Sequence, residues 1–448
     1  MTRNLADLSH ALVSAAQKAG AEAADALVFE GQSLSISVRQ GALEQAERSE
    51  GLDLGLRVLI GQRQACVAAS DPSPAAMAEM AERAVAMARE APEDPAIGLA
   101  EPGDLATDWD IAALDLVDNG PEPEPQALQD AALAAESAAL AFTGISQVEE
   151  ASAGYSNQSF HLAATNGFSG GFVRTGHGLS CVAITGQGTD MERSYYGDSR
   201  IWRQDVDSPD TVGRIAAERT LARANPRRPE TGHVPVLYDE RIAGSLIGQL
   251  LRAVNGASIA RGASWLLDAK GEQVLPRGMS LIEDPTAPRR GGARAFDVEG
   301  LPALRRAIVE DGVLVDWTLD LANARKLGLR STGNAVRGPS APPQPGNYSI
   351  QLSQGDASPV DLMREMGTGI LVTDLFSPNV NPTTGDYSAG ASGQWIEGGA
   401  LAYPVSEFTI AGNLRDMLKS VTPANDARLH LSRVVPSLRV EGMTLAGS

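Results

Sequence analysis

The sequence predicts an α+β protein in three modules, and three observations carry that prediction. The first 90 residues read as helix, antiparallel strands, helix. An alanine-rich helix then opens a second run of strands, which another helix closes. In the last module, beyond Asn255, the chain becomes rich in Gly, Pro and short strand-like runs, the pattern of a β-rich domain with many loops. A chain of 448 residues has room for several such units, at roughly 100–200 residues each.

Each element has a local reason. Leu5, Leu8, Leu12, Val13 and Ala16 fall on one face of a helix. Strand-like runs follow at Ala26 to Phe29, Leu34 to Val38 and Leu52 to Ile60, and Gly61 turns the last into Gln64 to Ala69 as a hairpin. Ser73 is placed to cap a helix from Pro74 to Arg89. Residues 91–124 contain APEDPAIGLAEPGD and DNGPEPEPQ, the acidic, Pro-rich composition of an exposed connector. The second module has a helix from Gln126 to Phe142. Strands are expected at 145–149, 160–165, 172–174, 178–184 and 195–201, then a helix from Thr211 to Arg223. ANPRRPETG marks a boundary, after which His233 to Tyr238 reads as a strand and Ile242 to Val254 as a helix. Later strand candidates are 349–352, 369–374 and 401–405. The expected divisions are 1–92, a connector 93–124, 125–228 and 233–448.

The charge excludes some functions. With 37 basic and 56 acidic residues the net charge is −19, which repels a polyanion, so no nucleic acid partner is expected. Arg227-Arg228 and Arg289-Arg290 are small enough to be solvated loop residues. Cys66 and Cys181 make neither a disulfide framework nor a CxxC motif, which suits a reducing compartment. No apolar run approaches the roughly 18 residues of a membrane span, and the N-terminus lacks a signal-peptide core. A cytoplasmic protein without a membrane partner is expected.

Local motifs for chemistry are sparse. His10, His161, His177, His233 and His430 have no pair three or four apart, so there is no compact zinc pair. Asp108, Asp110, Asp115 and Asp118 lack EF-hand spacing. Gly167-Phe168-Ser169-Gly170-Gly171 matches GxSxG, with His177 and Asp190 downstream. A nucleophile elbow needs a following helix, whereas Asn166-Gly167 signals a hairpin. A serine hydrolase using Ser169 is therefore the weaker alternative. The unusual segment is 379–413, where small and hydroxylated residues crowd one loop before a strand. Small residues admit another backbone, and a nearby strand edge could accept a peptide by β-augmentation. A structural loop packed on its own sheet accounts for the same residues.

Within that segment, NPTTGDYSAGASGQWIEGGALAYPVSEFTIAGNL resembles the C-terminal signature of the TldD/PmbA family, and its PmbA (TldE) branch in particular. SISVRQGALEQAERSEGLDLGLRVLIGQRQACVAASD is similar to the family's N-terminal domain. VLYDERIAGSLIGQLLRAVNGASIARGASWL and DWTLDLANARKLGLRSTGNAVR extend the resemblance along the third module. The resemblance implies a TldD/PmbA-like fold and a cytoplasmic zinc metallopeptidase complex acting on unfolded or extended peptides. It pairs a TldD-type subunit with a PmbA-type one. In the TldD-type subunit a helical HExxxH motif and a C-terminal cysteine accompany the zinc, which acidifies a bound water while the glutamate serves as base.

Carried onto this chain, the two histidines and the glutamate fall near Gly248, Ala253 and Gln249. Glycine and alanine cannot ligate zinc, and glutamine is a poor base. Residues 234–429 contain no histidine or cysteine, and 432–447 contain no cysteine. The resemblance thus implies a subunit without catalytic residues or metal of its own, zinc being held by a TldD-type partner. Heterodimer and homodimer both stay open. Asn381, Thr384, Ser388, Ser392, Thr409 and Asn413 are the candidates for binding peptide or forming the interface. A stand-alone peptide-binding or scaffold homodimer is the alternative.

Overall fold

The computed structural model describes residues 4–447. Helix α1 (Leu5–Ala19) starts at Asn4, whose side chain accepts the Ala6 N–H. Three antiparallel strands follow, β1 (Ala23–Arg39), β2 (Ala42–Ile60) and β3 (Arg63–Ala69). Helix α2 (Pro74–Glu90) begins as its sequence predicts, with Ser73 accepting the Ala76 N–H and Pro74 in the first turn. Helix α3 (Pro125–Leu140) leads into β4 (Ile145–Ala164), β5 (Ser169–Thr185) and β6 (Glu192–Arg200), and α4 (Pro209–Leu221) closes the run.

These strands form one antiparallel sheet in the order β3-β2-β1-β4-β5-β6. β1 pairs with β4 from Asp25–Ala164 to Val38–Ala151, so 1–92 and 125–228 share it. Runs that the sequence divides are continuous here: Ala26 to Phe29 and Leu34 to Val38 both belong to β1. Alternation along β1 assigns the two faces. Ala24, Ala26 and Val28 pack in the core with α1 and α2, and Leu34, Ile36 and Val38 in the core with α3 and α4. Leu27 points the other way, into an aromatic cluster with Phe168 and Phe296 of the third module.

The connector differs from its expected exposure. Leu114 and Leu116 are buried, and Trp109 lies 5.0 Å from the Phe296 ring. The Ala106 N–H donates to the Gly300 carbonyl. Its few apolar side chains cover the aromatic cluster, which draws an otherwise acidic segment onto the protein.

The third module begins with β7 (Gly232–Tyr238), α5 (Glu240–Ala253) and α6 (Gly256–Ala260). Next come β8 (Leu281–Glu283), β9 (Arg306–Glu310), β10 (Val313–Leu314), α7 (Leu321–Leu327), β11 (Ala335–Val336), β12 (Gln344–Pro345) and β13 (Ile350–Leu352). After α8 (Pro359–Met366) the long strands β14 (Gly369–Val380), β15 (Asp386–Glu397) and β16 (Ala400–Asn413) form a meander. Helix α9 (Leu414–Lys419), β17 (Thr422–Pro423), β18 (Arg433–Val434) and β19 (Leu438–Ala446) end the chain. One sheet runs β10-β9-β8-β13-β18. The larger runs β16-β15-β14-β7-β19-β17, and extra β16–β19 pairing closes it into a ring.

The segment DYSAGASG, expected as loop, is strand β15. Its small residues are a packing requirement. Ala389 and Ala391 are buried, and a Cβ on Gly393 would overlap the Leu371 carbonyl of β14.

Candidate functional site

The loop proper is the turn between β14 and β15. The Asn381 side-chain oxygen accepts the N–H groups of Thr383 at 2.9 Å and Thr384 at 3.2 Å. The Thr384 hydroxyl donates to the Asp386 carboxylate at 2.6 Å. The Asn413 amide donates to the Thr384 carbonyl at 3.0 Å and to Asp386 at 3.1 Å. The Asn413 side-chain oxygen also caps α9 through the Arg415 N–H. The hydroxyl of Thr384, then the amide of Asn413, hold the Asp386 carboxyl below its ordinary range. A shallow hollow of about 550 Å³ lies against Asn379, Asn381, Thr383 and Ser388.

Of the six sequence candidates, Asn381, Thr384 and Asn413 meet at this hairpin end, with Ser388 at its rim. Thr409 is exposed on β16, opposite Gly390. It also pairs with Ala446 of β19, so the edge expected to accept a peptide is closed there. Ser392 lies elsewhere and is 4% exposed. Arg223, just past α4, donates to Ser392 at 3.2 Å and to Asp374, and its Nε reaches Glu192 at 3.3 Å. Ser392 thus belongs to a polar clasp between the first sheet and the third module.

Gly248, Gln249 and Ala253, where the resemblance expects a metal motif, lie on α5. Arg433 crosses this helix. Its Nη1 donates to the Gly244 carbonyl at 3.2 Å, and a Cβ on Gly248 would lie 3.1 Å from the same nitrogen. Burial, then the like charge of Arg252, lowers the Arg433 pKa. Zinc needs nitrogen, sulfur or carboxylate donors. Two of these three side chains offer no donor atom, the third is a neutral amide, and a cation lies over the face. The residues do not fit the metal. Among the described residues no group of three or more His, Cys, Asp or Glu side chains could hold a metal ion.

Ser169 opens β5 after the Asn166–Gly167 turn, and no helix follows. His10 does approach it, with Nε2 3.0 Å from the hydroxyl. His177 faces Asp118 at 3.4 Å instead, and Asp190 lies in the turn between β5 and β6. The strand-turn-helix elbow of a serine nucleophile is absent.

Family profiles match the chain in three consecutive stretches. They are described as PmbA/TldA metallopeptidase domain 1 over residues 24–88, the central domain over 118–224 and the C-terminal domain over 231–447. The Metalloprotease PmbA of Escherichia coli O157:H7 is 34% identical over 427 residues, covering 95% of this chain and 92% of that protein. The chain belongs to the PmbA/TldD family. A Metalloprotease PmbA homolog from Haemophilus influenzae is also 34% identical, over 97% of this chain and 94% of its own. A solved structure from Bacteroides thetaiotaomicron, described as a candidate modulator of a DNA gyrase, matches both chains over their full length with a TM-score of 0.92 and 26% identity. TldE from Thermococcus kodakarensis shares the fold, with a TM-score of 0.85 and 20% identity over 98% of this chain and 99% of that one.

Arg223 and Arg433 carry no signal in a sequence window. Arg223 meets Asp374 across 151 residues, and Arg433 meets Gly244 across 189.

Proposed function

We propose that this PmbA/TldD family member is the metal-free, PmbA-type subunit of a peptidase complex whose TldD-type partner holds the zinc. The observation that carries this reading is the α5 face, where Arg433 lies over Gly244 and Gly248 on the helix that the resemblance associates with the metal motif. A chain built this way contributes shape. The hairpin end of Asn381, Thr384, Asp386 and Asn413 is cross-bonded to itself, so it offers a firm lip to an extended peptide without first having to order. Extended substrates pass such a lip and folded proteins do not. No helix of the described residues is long and apolar enough to cross a membrane.

The test is cleavage of an unstructured peptide by the purified chain, by an HExxxH-bearing relative from the same organism, and by the two mixed. The expected result is no cleavage by this chain alone and chelator-sensitive cleavage in the mixture above that of the relative. Cleavage by this chain alone would overturn the reading. A mixture no faster than the relative would leave the scaffold homodimer standing in its place.

A further inference from the structure

A cavity of about 290 Å³ lies between β1, β4 and β5 and the third module. Its walls include Phe29, Phe160, Phe172 and Phe296. These rings contact one another, with Phe29 5.1 Å and Phe172 5.2 Å from Phe160. Arg174 of β5 and Arg294 of the third module also line it.

Among the described residues neither guanidinium makes an ion pair with an acid. Arg174 donates to the carbonyls of Gly291 and Ala293, at 2.5 and 2.6 Å. Arg294 makes one long bond to the Gly292 carbonyl, 3.5 Å, and lies over the Tyr348 ring with its Cζ 3.5 Å from the centroid. Carbonyls orient a cation without neutralising it. Burial, then the facing charge of Arg294, push Arg174 down to about 10. Arg174 Nε is buried without a partner.

The other charged groups on the lining are already engaged. Asp297 accepts the N–H groups of Glu299, Leu301 and Ala335; burial raises its carboxyl above the ordinary range, and these bonds and the charge of Arg294 oppose that rise. Arg337 is paired with Asp25. A chain with net charge −19 thus leaves Arg174 facing a second cation, while Arg294 has Asp297 near it without an ion pair. Leaving such charges uncompensated is costly, and a ligand carboxylate removes the cost. Guanidiniums take carboxylates in bidentate geometry, and a largely apolar cavity with a few convergent polar groups is the usual form of a small-ligand site.

We propose that this cavity binds a carboxylate carried on an apolar or aromatic body, with the carboxylate between Arg174 and Arg294 and the body against the four phenylalanines. Two sources share this chemistry, a free aromatic acid and the C-terminal end of a peptide. A neighbouring hollow of about 440 Å³ shares Phe29, Gln158 and Ser159 with the cavity and runs past Gly31 and Gln32 toward Ser49. A chain ending in the cavity has a path out along the sheet.

Binding is measured on the full-length chain alone by titration calorimetry. A peptidase assay does not enter, so its failure and the failure of the proposed function are separable. The probes are N-acetyl-Ala-Ala-Phe with a free carboxyl, the same peptide as its amide, and phenylacetate. The free acid is expected to bind at least about tenfold tighter than the amide, since a charge-assisted contact is lost. Arg294→Met is expected to weaken the acid by about tenfold or more, whatever Tm it loses with the stack on Tyr348 and the bond to Gly292. The peptide acid binding tighter than phenylacetate assigns the site to peptide ends, and the reverse assigns it to free acids. Amide and acid binding alike, or no probe binding at millimolar concentration, would overturn the proposal. If Arg294→Met fails to fold, the acid–amide difference on the unaltered chain decides.

Discussion

The hairpin end and the arginine cavity are opposites. The hairpin end is dense in polar residues, and those residues satisfy one another: Asn381, Thr384, Asp386 and Asn413 bond within the group. The cavity has four phenylalanines in its walls, and the hydrogen bonds of Arg174 and Arg294 go only to backbone carbonyls. A crowd of polar side chains therefore marks a rigid feature, whereas a buried charge without a counter-charge marks a place where something is missing. That contrast assigns a shaping role to the first region and a binding role to the second.

The sharpest attack on the contrast comes from two buried arginines that share one acid. Asp25 accepts Arg57 Nε at 2.6 Å and also pairs with Arg337, and all three side chains are at most 3% exposed. This cluster joins the first sheet to the third module. Asp25→Asn keeps the shape and removes the charge, leaving both arginines uncompensated. The expected loss is about 3–5 kcal/mol, read from denaturant unfolding. A loss below about 1 kcal/mol would show that this fold tolerates unneutralised buried arginines, and the inference drawn from Arg174 and Arg294 would lose its basis.

Asn413→Ala probes the other side at smaller cost. The substitution removes the cap of α9 and both amide bonds to the hairpin end. A destabilisation of about 1–2 kcal/mol is expected. Affinity for the carboxylate probe should stay unchanged, because the residue belongs to the self-bonded hairpin and not to the cavity lining. An equal loss of affinity in Asn413→Ala and Arg294→Met would erase the distinction between the two regions.

Local elements were legible in the sequence and their joins were not. Ser73 before Pro74, and the stripe from Leu5 to Ala16, announce α1 and α2 because capping and helical periodicity act within a few residues. The long strands read as fragments because their middles are polar. Gly31 and Gln32 interrupt β1, and Asn157, Gln158 and Ser159 interrupt β4. Those same residues line the hollows beside the arginine cavity, so the gaps in the hydrophobic pattern were the signature of the open face. At the hairpin end three of six expected residues came together, while Ser392 went to the Arg223 clasp for reasons visible only in three dimensions. The arginines of the cavity were missed because Arg174 meets its partners 117 and 119 residues away.

The smallest expected effect concerns α5, where Arg433 is a third kind of arginine, spread over glycines on the face that the resemblance associates with metal. Gly248 lies inside the helix, where glycine costs up to about 1 kcal/mol relative to alanine. The added Cβ of Gly248→Ala would lie 3.1 Å from Arg433 Nη1, the far end of a flexible side chain that need move only slightly. A rise in stability of up to about 1 kcal/mol is expected, visible as a higher Tm. The outcome discriminates between two uses of the face. If Arg433 merely packs there, it yields and the helix gains. If the substitution instead destabilises the chain, Arg433 is held in place against the glycines by contacts stronger than its single bond to Gly244. The face would then be a site with requirements of its own, and the contrast between satisfied and unsatisfied charge would have to be extended to it.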